Sequence, residues 1–269
     1  MQENSKQLLK TIENGIITFT NSDTWKEYLN TMAKFHNYSM NNTMLIYLQR
    51  PDATYVAGFQ KWKKTFHRYV KKGEKGIRIF APITKKVTNE DTNETEKIYS
   101  FKTATVFDIK QTDGEPLPEY INDSFNHHIK NYDSFIQALK LISPVPIHIL
   151  PMNTTSHGLY DSINEIIEIR DDLTEIMTIK TCLHEIAHAF LHDKKSLNKQ
   201  LSRNIKETEA ESVAYAVCRH YDMDTSEYSF PYLAGWSTNH DTTELQQSFQ
   251  RIQETTTKII ELLDTVLPH

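Results

Sequence analysis

The sequence predicts an α+β protein of two domains, and three observations carry that expectation. Two runs, at 76–87 and 97–109, are rich in β-branched and aromatic residues and flank a polar, acidic loop. That pattern reads as a β-hairpin or meander. The stretch KQTDGEPLP at 110–118 is turn-forming, and Pro116 and Pro118 discourage regular structure. It sets a domain boundary within 115–130. Beyond it the pattern changes to short strands and helices, one of which carries HEIAH at 184–188. At 269 residues the chain is long enough for two modest domains.

Composition and charge narrow the classes further. No apolar run approaches the ~20 residues of a membrane helix, so no membrane partner is expected. The opening MQENSKQLLK has none of the features of a secretory signal. Two cysteines, Cys182 and Cys218, are too few for a disulfide framework, which points to a cytoplasmic protein. The net charge of −5 conceals an asymmetry. Residues 61–86 hold ten Lys/Arg against the single acid Glu74, a local +9 that leaves −14 on the rest. A basic field inside an acidic chain suits a polyanion partner; the alternative is a solvated lysine-rich face.

In chain order, residues 1–22 are polar and expected to be a flexible N-terminus. Residues 23–49 read as helical after a Ser22/Asp23 cap, with Trp25, Leu29, Met32, Ala33 and His36 at helical spacing. A turn near 38–42 splits this region into two helices, and Pro51 stops the second. The domain from 23 to 120 then contains the two long strands. In the domain from 121 to 269, a helix at 132–142 precedes strands at 145–150 and 165–170. Helices follow at about 172–193, about 204–222 and from near Asp241 to the C-terminus. The last carries Leu245, Phe249, Ile252, Ile259, Leu263 and Val266 on one stripe, as a packed terminal helix would.

HEIAH carries the chemistry. On a helix, positions i and i+4 lie about 40° apart around the axis, so His184 and His188 can aim two imidazoles at one ion. Imidazole suits zinc, and a catalytic zinc takes three protein ligands and keeps one position open. Glu185, beside the first histidine, is placed as a general base. The third donor must come from another element. The segment KETEAESVAYAV at 206–217 offers Glu207 and Glu211, again one turn apart, on a helix rich in small residues. Eighteen residues separate His188 from Glu207, enough for a turn and a return. Glu207 is assigned as third ligand and Glu211 as the acceptor for the free N–H of a ligand histidine, a pair of roles that can be exchanged. Glu209 is expected to face solvent. Zn2+ so held would acidify water and polarise a carbonyl, with Glu185 handling the proton. The strand EIIEIR is expected to align an extended peptide by edge pairing. His157, Tyr160, His192 and His220 are the candidates for stabilising an oxyanion.

HEIAHAFLH followed by KETEAESVAY resembles the ImmA/IrrE group of gluzincin metallopeptidases over roughly 140–240. The resemblance implies a zincin-like domain whose second glutamate helix maps onto Glu207–Glu211, with Glu211 standing where Asp or Asn is commoner. The stretches FHNYSMNNTMLIYLQRPDATYVAGFQKWKK, VKKGEKGIRIFAP and VFDIKQTDGEPLP are similar to the N-terminal domain of ArdC-type antirestriction proteins. That resemblance implies single-stranded DNA as partner and a role on mobile DNA, in antirestriction or conjugative transfer. A strand-tracking groove needs positive charge for phosphates and aromatic faces for bases. The residues expected to supply them are Lys61, Trp62, Lys63, Lys64, Arg68, Tyr69, Lys71, Lys72, Lys75 and Arg78. Tyr38 and Asn41, in the polar break between helices, are further contacts or a capping turn.

Three functions fit: a DNA-binding metallopeptidase that cleaves a protein or peptide on DNA, a DNA-protection factor with a structural zinc, or a repressor-cleaving protease. The sequence leaves oligomeric state open.

Overall fold

A computed structural model describes residues 3–19, 22–88, 95–118, 132–193, 201–223, 225, 228, 230 and 242–267. The chain packs into two compact units, Met1–Gly15 with Asn41–Pro118, and Ile16–Met40 with Glu119–His269. Both mix helix and sheet, as the α+β expectation requires.

In the first unit the N-terminus is not a loose tail. α1 (Glu3–Ile16) forms because Leu8, Ile12 and Ile16 recur every fourth residue, and all three are buried. It approaches α3 (Met40–Gln49) closely: a Cβ on Gly15 would lie 2.5 Å from Leu48 Cδ1. The main sheet has the order β1-β4-β3. β3 (Ile77–Thr88) and β4 (Thr95–Asp108) pair antiparallel from Ile77↔Val106 to Thr88↔Thr95, and β1 (Val56–Gly58) pairs with the far side of β4. The acidic loop expected between the long strands falls at 89–94, outside the described residues. α4 (Phe59–Thr65) leads into β2 (Arg68–Val70), which pairs antiparallel with β5 (Thr112–Gly114).

β3 is an edge strand, and side chains from α3 close it. Asn42 Oδ1 accepts from Phe80 N at 2.8 Å while its Nδ2 donates to Phe80 O at 2.9 Å. Gln49 makes the same pair of bonds to Arg78 N and O, both at 2.9 Å. Two carboxamides thus stand where another strand would pair.

In the second unit, α2 (Ser22–Lys34) is present as the spacing predicts. Its company differs from the expected domain boundary at 23, because its apolar stripe has partners in the C-terminal half. Trp25 Nε1 donates to Ser212 Oγ at 2.9 Å, and Trp25 packs edge-on against Phe249 with ring centroids 4.8 Å apart. α5 (Tyr132–Ile142) precedes a sheet of order β6-β8-β7, with β6 (Ile147–Leu150) parallel and β7 (Gly158–Asp161) antiparallel to β8 (Ile166–Arg170). The strand EIIEIR is therefore central, since Ile167 and Ile169 are wholly buried and both its edges are paired. The strand at the sheet edge beside the HEIAH helix is β7. α6 (Glu175–Leu191), α7 (Arg203–His220) and α8 (Thr242–Val266) complete the described elements.

Candidate metal centre

α6 begins at Thr174, whose Oγ1 accepts from Met177 N, and runs unbroken through HEIAH. It rests on β7: a Cβ on Gly158 would come within 2.6 Å of Thr181 Cγ2. α7 starts from the Ser202 cap and presents Ala210 and Ala214, both wholly buried, so that its backbone lies close to α6. This packing sets the glutamates of α7 opposite the histidines of α6.

His184 Nε2 and His188 Nε2 face one another at 3.1 Å. Glu207 Oε2 lies 3.5 Å from the first and 3.7 Å from the second. Among the described residues these three side chains form the one group of His, Cys, Asp or Glu able to hold a metal ion, with ligand atoms within 4.8 Å of one another. Glu211 Oε2 accepts from His184 Nδ1 at 3.0 Å. That bond holds a His184 proton on Nδ1, so that with a cation in place the Nε2 lone pair would be the one aimed at the common point. Two imidazole nitrogens that close, with a carboxylate beside them, fit a divalent cation. Of the two glutamates, Glu207 faces both Nε2 atoms and Glu211 faces the outer nitrogen of His184.

The electrostatics follow from crowding. Burial disfavours charge on His184, but hydrogen bonds to Glu207 and Glu211 override it and raise its pKa to about 10. His188 is pushed down to about 4, by burial first and also by the neighbouring histidines. The two histidines hold Glu207 well below the usual carboxylate range. Glu185, 8 % exposed, is raised by burial, against the pull of His184 and of the Tyr160 backbone N–H.

The three side chains and Glu185 open on a cleft of about 1050 Å³ whose walls include His157, Leu159, Tyr160, Lys180 and Tyr228. Of the four oxyanion candidates, His157 and Tyr160 line it, Tyr160 also holding Glu185 through its backbone N–H. His192 also reaches it, but its side chain is 3 % exposed and bonded to Glu209. His220 packs on His36 and Tyr221 and is not among the lining residues. Glu209 does not face solvent. It is wholly buried, because the side of α7 opposite the cleft is covered by α8. Cys182 and Cys218 are buried, with thiols raised to about 12 by desolvation.

The basic region of the first unit sorts into two groups. Lys61, Lys63, Lys64, Lys71, Lys72 and Lys75 are exposed, as is Tyr69 at 59 %. Phe59, interleaved with the lysines, and Phe101, which sequence reading passed over, are exposed large aromatics of the same unit. Trp62 is a correction: it is 0 % exposed, donates Nε1 to Phe107 O at 2.8 Å and packs against Tyr55 and Phe66, so its ring has no face for a base. Arg68 is another. Its guanidinium is bound to Thr112 Oγ1 at 2.8 Å and to carbonyls of Thr112, Gly114 and Glu115, where it fastens β2 to β5. Arg78 and Asn41 are half-buried. Tyr38 belongs to the other unit, where its ring meets Phe35.

Fold and centre together define the second unit as zincin-like. Comparison with known proteins agrees. The family model of the N-terminal domain of anti-restriction factor ArdC matches residues 1–107, and that of the IrrE N-terminal-like domain, peptidase M78, matches residues 144–227. Residues 1–107 are thus similar to the ArdC-type N-terminal domain and residues 144–227 to the IrrE-type peptidase-like domain. An uncharacterized protein of Bacillus anthracis is 32 % identical over 98 % of the chain, which spans only 52 % of that relative's length. Two crystal structures of antirestriction ArdC protein from plasmid R388 share the fold. The metal-free form aligns with a TM-score of 0.58 at 20 % identity, covering 86 % of this chain and 87 % of that one. The Mn(II)-bound form aligns with a TM-score of 0.56 at 19 % identity, covering 86 % of each.

Proposed function

We propose that this chain is a cytoplasmic, zinc-dependent metallopeptidase that binds single-stranded DNA and serves antirestriction or conjugative transfer on a mobile element. The observation that carries the enzymatic half is the convergence of His184 Nε2, His188 Nε2 and Glu207 Oε2 beside a buried glutamate in an open cleft. These three residues are the ligands, and Glu211 orients His184. Bound there, a divalent ion supplies Lewis acidity. Glu185, held by the Tyr160 backbone N–H, takes a proton from the attacking water and passes it to the leaving amine. The outer edge of β7, which pairs with no strand among the described residues, offers backbone groups to an extended peptide. His157 and Tyr160 are the donors for the developing oxyanion; the Tyr160 phenol, its pKa raised by burial, stays protonated and able to donate.

The two-histidine, one-carboxylate set suits zinc, and the Mn(II)-bound ArdC of R388 makes manganese the rival ion. Metal analysis of wild type, His184→Ala and Glu207→Ala decides: one ion per chain in wild type and none in the variants is expected. Glu185→Gln should keep the ion and lose at least about a hundredfold in peptide cleavage, the lower end of general-base contributions. Retained cleavage in that variant would leave a structural metal as the better reading.

The DNA half draws on the ArdC-type domain match and on the exposed lysines with Tyr69, Phe59 and Phe101. Reversing Lys63, Lys64, Lys71 and Lys72 to Glu should abolish strand binding. In milder Lys→Ala variants the salt slope should shrink by about 0.7 per lost phosphate contact. An unchanged, salt-insensitive affinity refutes it.

A further inference from the structure

The metal centre does not end at Glu211. His188 Nδ1 lies 3.0 Å from His192 Nδ1, one turn further along α6. His192 Nε2 lies 2.9 Å from Glu209 Oε2. The other oxygen of Glu209 accepts from Ser248 Oγ at 2.5 Å and from the Arg251 guanidinium, both on α8. Arg251 Nη2 also donates to Ser248 Oγ at 2.7 Å.

Donor and acceptor bookkeeping gives this chain one sense. Glu209, a carboxylate whose charge Arg251 already balances, can only accept. His192 Nε2 must therefore carry the proton, which makes His192 Nδ1 an acceptor. The hydrogen between the two rings then sits on His188 Nδ1. The remaining lone pair of His188 is on Nε2, the atom that faces His184 and Glu207. Glu211 imposes the same protonation on His184 from the other side.

We infer that His192, Glu209, Ser248 and Arg251 form a relay that locks His188 in its metal-accepting tautomer and orientation, making the C-terminal helix a working part of the metal centre. The relay rests on the metal-centre reading above. It extends that reading to two residues of α8 about sixty positions away in sequence. Buried polar chains of this kind hold a group in place only when every member is satisfied, and each bond from Arg251 to His188 satisfies the next.

The test is a zinc titration of the full chain against a competing chromophoric chelator, with melting of the metal-free protein measured beside it. His192→Phe keeps the volume but breaks both bonds. It should weaken zinc binding about 10–100-fold, the usual cost of losing a ligand's hydrogen-bond partner. His192→Gln, whose amide can accept from His188 and donate to Glu209, should recover most of the loss. Equal zinc affinity in wild type and His192→Phe, with equal melting of the metal-free forms, overturns the relay. Should His192→Phe not fold, Ser248→Ala decides. Weaker zinc binding with unchanged metal-free melting supports the relay, and unchanged affinity overturns it. Failure of the centre itself looks different: wild type would then bind zinc no better than His184→Ala.

Discussion

Trp62 is held on every side, by its N–H on the Phe107 carbonyl and by the rings of Tyr55 and Phe66. Trp62→Ala should destabilise the first unit by about 3–5 kcal/mol, the usual cost of emptying a buried aromatic site. Urea unfolding measures this, and a loss below about 1 kcal/mol would show that the site is not a core position. Tyr69→Ala, by contrast, should leave stability unchanged and weaken strand binding, because its ring is exposed. Sequence alone could not separate these two aromatics. Both sit among lysines, and exposure depends on which neighbours fold over them. Residue chemistry was more legible where spacing enforces geometry. The i, i+4 rule places His184 and His188 on one helix face regardless of context. Glu209 was misread because its burial depends on α8, a helix whose position no local pattern reveals.

At the level of elements, the seal on β3 is a device with a sharp chemical signature. Each carboxamide gives one donor and one acceptor to the strand. Asn42→Asp keeps the shape but sets a carboxylate against the Phe80 carbonyl, so it should cost more than Asn42→Ala. Removing Asn42 and Gln49 together should free the strand edge and promote self-association, which light scattering detects. The long strands and helices were visible in advance, since periodicity is a local property. α1 was hidden by its polar composition, although its three apolar residues hold helical spacing. β1, β2 and β5 were hidden because three-residue strands exist only through their pairing partners.

For the whole molecule, the proposed centre would link metal binding to folding in one unit only. A centre built from α6 and α7 should stabilise that unit by about 2.7 kcal/mol at a metal concentration a hundred times Kd. Chelation should therefore lower one melting transition in calorimetry and leave the other, belonging to Met1–Gly15 with Asn41–Pro118, in place. A uniform shift of both, or of neither, would contradict the assignment of the ion to α6 and α7.

The chain leaves its first compact unit after Gly15, returns at Asn41 and leaves again after Pro118. Scissors applied at the proline-rich joint would consequently yield a C-terminal piece stripped of Trp25, along with the edge-on ring contact it gives Phe249. Recombination at that joint would hand on the C-terminal half without the segment Ile16–Met40 that completes its unit.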